Sequence, residues 1–524
     1  MPLPEKSFAT LCLLACLALS PAAFGQDAQA LANQGLAAYE AKDFADAAKL
    51  YVAAAQAGPA KATNYYNAAC SYALAGQTDA AFRELQASID AGLDGDTPSN
   101  DADFASLRAD PRWSPLIARF EAAHPELAAL KIIRDLTIPV VRRFAAGRRA
   151  IAAGLSVADT SSLFNQYYAN QAQAMGEYDE ASGIYGFLKP VDDVVAAGFT
   201  HAVDAVPVVL ARAHGRRAVF LNESHGQSQT RAANYALLAG LRADGFNVLA
   251  METLSTGPTT ARDATHCSST TLRDADLPAR GYAVGKTGYY SADPVLAEMI
   301  REALRLGFRL VAYDNEVAPG VAPREQNEAE NLACVFKDDP KARLVVVAGF
   351  SHIAEGKDFW VPGGAMAARF HALSGIDPLS VDTTTQLYLD PANLTFAEEK
   401  LSARPVSFVL QDAKGAAYGT ANFDLVLYVP APANREDGKS GWLDLGGVRE
   451  PTRVNLPACD GVSPCIVQAR LVDDQADAIP ADACVAAASA TGCTLFLRPG
   501  RYDVIAVDGS GMVLKRKQLV IRRR

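Results

Sequence analysis

Ala218-Val219-Phe220-Leu221-Asn222-Glu223-Ser224-His225-Gly226 is the stretch whose reading decides the fold. Its first four residues are continuously apolar, as a strand buried on both faces of a parallel sheet requires. Asn222 to Gly226 then break into polar loop, and a helical pattern follows from about Ser228. In open α/β sheets ligands bind off the carboxyl ends of the strands, so a strand–loop–helix unit places Glu223 and His225 where chemistry is done. They are two residues apart, so in extended chain both side chains can point to one side. A carboxylate beside an imidazole can share a proton or bind a metal.

The same pattern recurs downstream. Candidate strands are 218–221, 247–251, 309–313 and 344–348, with helical patterns at roughly 229–244, 294–306 and 324–336. Such alternation predicts a mainly parallel sheet with right-handed crossovers. The second strand ends in Glu252, the third in Asp314 and the fourth in Gly349-Phe350-Ser351-His352. Four consecutive strands each deliver an ionisable group to one edge of the sheet. A single polar strand end is ordinary loop; four together point to a site.

Composition bounds the rest. The 524 residues are 50% hydrophobic and 21% charged, enough for several domains with sizeable cores. A formal net charge of −10 argues against nucleic acid as partner, because phosphate contact needs a basic surface. Lys6, the apolar run Leu11–Leu19 and Ala23-Phe24-Gly25 read as a secretory leader, so we expect an exported protein, periplasmic or extracellular. Leu13-Leu14-Ala15-Cys16 resembles a lipoprotein box, but too little apolar sequence precedes it, and an anchor at Cys16 is disfavoured. No later stretch reaches about 18 apolar residues, so no transmembrane segment is expected. Of nine cysteines, Cys459, Cys465, Cys484 and Cys493 cluster near the C-terminus without any C-x-x-C pair. Disulfides are favoured there over zinc, with three pairings open.

At the front, Gly35, Ala47, Tyr51, Ala54 and Pro59 fall at the small and large positions of a helix-turn-helix unit of about 34 residues, and Ala69, Tyr72 and Ala81 follow one period later. This resembles two tetratricopeptide repeats, the second carrying Ser88 where a small apolar residue is usual. Asp103 to Trp113 looks like the closure of such an array. The module is either a spacer or a groove for a protein partner. Arg142-Arg143 and Arg148-Arg149, in the mostly helical stretch after it, are expected on a solvated face. Tyr167, Tyr168, Tyr178 and Tyr185 are candidates for a lid or for packing.

Glu223-Ser224-His225-Gly226, Glu252 after the next strand, an Arg324-led helix with Asn327 and Asn331, and Gly349-x-x-His352 together resemble the superfamily of erythromycin esterases, ChaN-type haem-uptake proteins and Tiki/TraB proteins, over roughly Ala211 to Asp382. The resemblance implies that Glu223, His225, Glu252 and His352 are central, with Arg324 and Asn331 supporting them. One residue separates Glu223 from His225, whereas erythromycin esterases usually have two there. This spacing is nearer the ChaN and Tiki type and leaves the substrate open.

Two mechanisms suit these residues. Glu223, His225, Glu252 and His352 could hold a divalent zinc, manganese or iron ion that polarises a carbonyl and activates water. Alternatively His225 is a general base oriented by Glu223 or Glu252, with Arg324 stabilising an oxyanion. A second His from a separate strand favours the metal route. Arg231, Asp314, Asn331, Tyr289 and Tyr290 are candidate substrate-binding residues for a small molecule or peptide. The functional expectation is a hydrolase of ester, lactone or amide bonds. The rivals are a haem- or metal-complex-binding protein without turnover, and a repeat scaffold with a degenerate α/β domain. Ser224 lacks a G-x-S-x-G elbow and reads as loop. His266-Cys267 reads as structural, with Cys334 a candidate disulfide partner for Cys267. Tyr282, Tyr289 and Tyr290 among glycines suggest a mobile aromatic loop or plain packing, and Asp293-Pro294 a helix start.

The expected architecture is multidomain α/β: a leader over 1–25, tetratricopeptide-like helices over 26–122, a helical connector over 123–193 and an α/β catalytic domain over 194–400. Residues 401–454 are either its later strands or the start of the β tail, and 455–524 form a C-terminal β-rich module.

Overall fold

The computed structural model describes residues 26–93, 98, 101–123, 126–155, 163–185, 198–257, 271–314, 321–357, 359–384, 406–429, 441–455, 464–486 and 492–522. The expected leader with Cys16, the His266-Cys267 pair and Cys459 lie outside them. The chain divides into two compact units, one built on the chain up to Arg134 with Arg149–Tyr167, the other on Asp135–Arg148 and most of the chain from Tyr168 onward. Among the described residues no helix is long and apolar enough to cross a membrane.

In the first unit, helices Gln26–Glu40, Phe44–Ala57, Lys61–Leu74 and Thr78–Asp90 pack consecutively. The small residues of the repeat explain the spacing. A Cβ on Gly35 would meet the Tyr51 ring at 3.1 Å, and Ala47, Ala54, Ala69 and Ala81 are fully buried. Ser88 is tolerated at its buried position because its hydroxyl donates to the Ala62 carbonyl at 2.7 Å. Beyond the repeats, Phe104 packs edge-on against Tyr66 and beside Trp113. Asp101 and Asp103 accept hydrogen bonds from Tyr66 and Tyr39, both at 2.7 Å. The 123–193 stretch contains helices Glu126–Arg134, Val140–Ala152, Leu163–Ala174 and Tyr178–Tyr185, shared between the two units.

The second unit is organised on a six-stranded parallel sheet. Its strands are β2 (Ala218–Glu223), β3 (Val248–Met251), β4 (Arg309–Val311), β5 (Leu344–Gly349), β6 (Leu379–Asp382) and β8 (Leu425–Val426), in the order β4-β3-β5-β2-β6-β8. β5 inserts between β3 and β2, with Glu223 opposite Gly349 and Met251 opposite Val347. Every residue of β2, β3 and β5 is buried, which is why these strands read as unbroken apolar runs. Alternate residues feed two cores. Val219 and Leu221 pack with helices Ser228–Ala243 and Pro294–Arg305, whereas Ala218 and Phe220 pack with helices Val321–Asp338 and Met366–Ser374. Crossovers therefore leave β2 and β5 toward opposite sides, which makes the β2/β5 carboxyl ends a topological switch point.

Residues 401–454 divide. β7 (Phe408–Gln411) pairs antiparallel with β1 (His201–Asp204), β8 closes the edge of the parallel sheet, and β9 (Glu450–Asn455) pairs with β12 (Gly492–Leu497) of the tail. In the tail, β10 (Cys465–Leu471), β11 (Asp482–Ala486), β13 (Gly500–Val507) and β14 (Val513–Ile521) add a four-stranded antiparallel sheet in the order β11-β10-β13-β14. A Cys484–Cys493 disulfide ties β11 to β12, and Cys334 and Cys465 are also disulfide-bonded. The tail docks on helix Pro294–Arg305, where Arg301 meets Asp474 at 2.5 Å and Arg498 pairs with Glu298 and Glu302.

Burial corrects the placement of Arg143 and decides between the alternatives left open for the tyrosines. Arg143 is 8% exposed, not on a solvated face, while Arg142 reaches the Ser510 carbonyl. Tyr168 and Tyr178 are packing residues rather than a lid. Tyr168 stacks on Phe144 under Gly147, where a Cβ would collide at 2.3 Å, and Tyr178 packs against Trp442. Tyr282 is also buried, and its hydroxyl accepts from the Gln475 amide at 2.8 Å.

Candidate functional site

Glu223 ends β2, and the turn Ser224–Gln227 after it carries His225 back over the sheet edge. His225 Nδ1 lies 2.6 Å from Glu223 Oε1. The other oxygen, Oε2, accepts from Arg231 Nε at 2.8 Å. Arg231 is completely buried one turn into the helix Ser228–Ala243, and its Nη1 donates to Asp293 Oδ2 at 2.8 Å. Burial by itself would raise the Glu223 carboxyl, but Arg231 and His225 bring it below its ordinary value, so it stays ionised. A carboxylate fixed on one side by a buried guanidinium presents its other oxygen to the imidazole in a single orientation. That contact assigns the proton to Nδ1 and leaves Nε2 as the basic nitrogen. Among the described residues no side chain hydrogen-bonds Nε2, and the His225 side chain is 15% exposed.

The ring of His225 is clamped. Tyr290 stacks on it at 4.1 Å between centroids, Phe350 meets it edge-on at 5.1 Å, and Gly349 lies beneath. A Cβ at residue 349 would sit 2.4 Å from His225 Cε1, so only glycine permits this approach. Phe350 holds a left-handed φ of 43°, an unusual conformation for a bulky side chain, and its carbonyl accepts from Asn222 at 2.9 Å. The tyrosine segment is pinned to the end of β3. The Tyr290 amide donates to Thr253 Oγ1 at 3.1 Å, and a Cβ on Gly288 would overlap the Thr253 carbonyl.

Glu252 joins this half of the site to a second one. Its Oε2 accepts from the Gly349 amide at 2.5 Å and its Oε1 from Arg324 Nη2 at 2.9 Å. Burial opposes its charge, yet His352, Arg324 and His225, with the Gly349 amide, hold its carboxyl well below the ordinary range. Arg324, at the start of the helix Val321–Asp338, also meets Asp314 at 2.7 Å and Glu328 at 3.0 Å. Its Nη1 is the nitrogen without a carboxylate, 3.5 Å from His352 Nε2. His352 Nδ1 faces Glu325 at 2.8 Å and Glu328 at 3.2 Å. Burial works against charge on His352, but Glu325, Glu328 and Glu252 outweigh it and raise the imidazole well above its ordinary value.

The strand ends thus bring Glu223, His225, Glu252, Arg324, Asp314 and His352 to one edge, in two linked networks. The four residues expected to share an ion do not converge their donor atoms. His225 is committed to Glu223, and Glu252 to Gly349 and Arg324. The Arg324 guanidinium stands between Glu252 and His352, with Nη2 2.9 Å from Glu252 Oε1 and Nη1 3.5 Å from His352 Nε2. This set does not fit a metal. Of the candidate substrate contacts, Tyr289 and Tyr290 are partly exposed, with their rings 5.0 Å apart. Arg231 is buried and spent on Glu223 and Asp293, and Asn331 donates to the Tyr313 carbonyl at 2.6 Å, setting the end of β4 just before Asp314.

Sequence reasoning missed Asp293, Glu325 and Glu328. Asp293 was legible as a helix N-cap, and its Oδ1 does accept from the Val295 amide, but its second oxygen serves Arg231. Glu325 and Glu328 lie on the buried face of a charged helix whose sequence shows no apolar stripe there. The signal available was Arg324-Glu325-x-x-Glu328 in the helix that follows a strand ending in Asp314.

Fold and geometry together describe a multidomain α/β protein with a cluster of ionisable side chains at the carboxyl edge of a parallel sheet. No protein family, curated protein or solved structure matches the chain.

Proposed function

We propose that this protein is a hydrolase of ester, lactone or amide bonds that uses His225 as general base. The observation that carries this reading is the Glu223–His225 contact with Nε2 left open beside the Arg324 cluster. Water hydrogen-bonded to Nε2 gives up a proton to it as its oxygen attacks the substrate carbonyl. The imidazolium is stabilised by Glu223, whose own position is held by Arg231. The tetrahedral oxyanion meets Arg324, whose Nη1 is the donor not engaged by a carboxylate. Collapse expels the leaving alcohol or amine, which takes the proton back from His225, and the carboxylic acid departs. Tyr290 fixes the base and lines the approach with Tyr289.

The test is turnover of an ester, lactone and amide library by wild type and His225→Ala. Loss of at least about 10²-fold in kcat/KM with unchanged circular dichroism is expected. Undiminished activity in the variant overturns the assignment. A second reading draws on the same open Nε2, which is also the atom that would ligate haem in a binding protein without turnover. A Soret shift on haem titration that His225→Ala removes, with no hydrolysis by wild type, selects it.

A further inference from the structure

Three buried side chains behind Arg324 turn their donor atoms on one another without forming hydrogen bonds. Glu325, Glu328 and His352 are 0%, 1% and 6% exposed. His352 Nδ1 lies 2.8 Å from Glu325 Oε1 and 3.2 Å from Glu328 Oε2, at ion-pair distance, yet none of these three atoms makes a hydrogen bond. Buried donor and acceptor atoms that face one another without a hydrogen bond cost about 1–3 kcal/mol each, so their convergence asks for a common partner. One donor atom from each residue lies within 4.8 Å of the others. Donors about 2.1 Å from a cation and at right angles to each other stand about 3.0 Å apart. The two separations from Nδ1 bracket that spacing. The surroundings also orient the donors. Glu325 Oε2 accepts from the Met366 amide at 2.7 Å, which turns Oε1 toward His352, and Arg324 Nε holds Glu328 Oε1 at 3.0 Å.

We propose that Glu325, Glu328 and His352 bind one divalent first-row transition cation, of the manganese, iron or zinc class. One imidazole nitrogen and two carboxylates suit that class. The site is distinct from the four-residue set expected from sequence, and it stands whether or not the chain is a hydrolase. Two carboxylates balance the ion's charge, so Arg324 remains available to Glu252 and Asp314. The ion locks the start of the helix Val321–Asp338 against the loop after β5.

The experiment is ion content and affinity of the full chain, stripped with chelator and titrated with MnCl2 and with ZnCl2. Wild type is expected to take up one equivalent and to gain thermal stability. Glu328→Gln and Glu325→Gln are expected to lose at least about tenfold in affinity, while His225→Ala keeps the ion whether or not it hydrolyses anything. Absence of a stoichiometric ion in the wild type, or wild-type affinity in both Gln variants, overturns the site. If a Gln variant does not fold, the wild-type titration alone decides, because a stripped chain that shows neither uptake nor a melting shift has no such site.

Discussion

The His225 imidazole lies over the Cα of Gly349, close enough that a Cβ there would be 2.6 Å from the basic Nε2. Gly349 has φ −74° and ψ 137°, a conformation open to any residue. The constraint is therefore steric and specific to the imidazole above it. Gly349→Ala is expected to push the ring off its Tyr290 stack by about 1 Å, a displacement that can cost about 10²-fold in rate. Crowding should also destabilise the fold by about 1–3 kcal/mol. Steady-state kinetics with urea unfolding check both, and a variant as active as wild type removes His225 from the chemistry.

In the proposed reaction Glu223 acts only through His225, so its loss should be read in the base rather than in binding. Glu223→Gln keeps the shape but not the charge. We expect kcat to fall by about 10²–10⁴-fold with KM little changed. Nitrogen chemical shifts of the imidazole should show mixed tautomers where wild type shows protonated Nδ1. Unchanged tautomer populations in Glu223→Gln would leave Glu223 a purely structural residue.

The parallel sheet was legible because its central strands are buried on both faces and therefore continuously apolar. Glu223, His225, Glu252 and His352 were legible because each follows such a run directly. The spatial order of the strands was not, since β5 inserts between β2 and β3 through contacts distant in sequence. That insertion sets Gly349 under His225 and brings its amide to Glu252, so the meaning of Gly349-x-x-His352 emerges only with the register. The strand at 450–455 shows no alternation in sequence because Pro451 and two charges break it, and it pairs at an edge. Asp293 looked like a cap because it is one. Its second role needs Arg231 to reach it across 62 positions of sequence.

Arg231 carries the only charge that balances both Glu223 and Asp293 at hydrogen-bonding distance among the described residues. Its removal strands two buried carboxylates. Arg231→Ala is expected to destabilise the second unit by about 3–5 kcal/mol, measured by urea unfolding. Arg231→Lys should recover only part of this, because an ammonium cannot span both partners as the guanidinium does. A Lys variant with wild-type stability contradicts the bridging role.

Glu355 provides a pH test away from the proposed catalytic groups. Burial, then the nearby Asp424 and Asp377, push its carboxyl from the ordinary 4.5 up to about 7, against the pull of a hydrogen bond from Ser380. The folded chain thus holds this proton more tightly than the unfolded chain does. The resulting stability is fully present below about pH 4.5 and is lost as pH rises to about 7, above which both states are ionised. Glu355→Gln cannot ionise, so it should match wild type near pH 4 and exceed it in stability at pH 8. Urea midpoints of the two proteins from pH 4 to pH 8 make the comparison. Curves that stay parallel across that range would show that Glu355 ionises as freely in the fold as outside it.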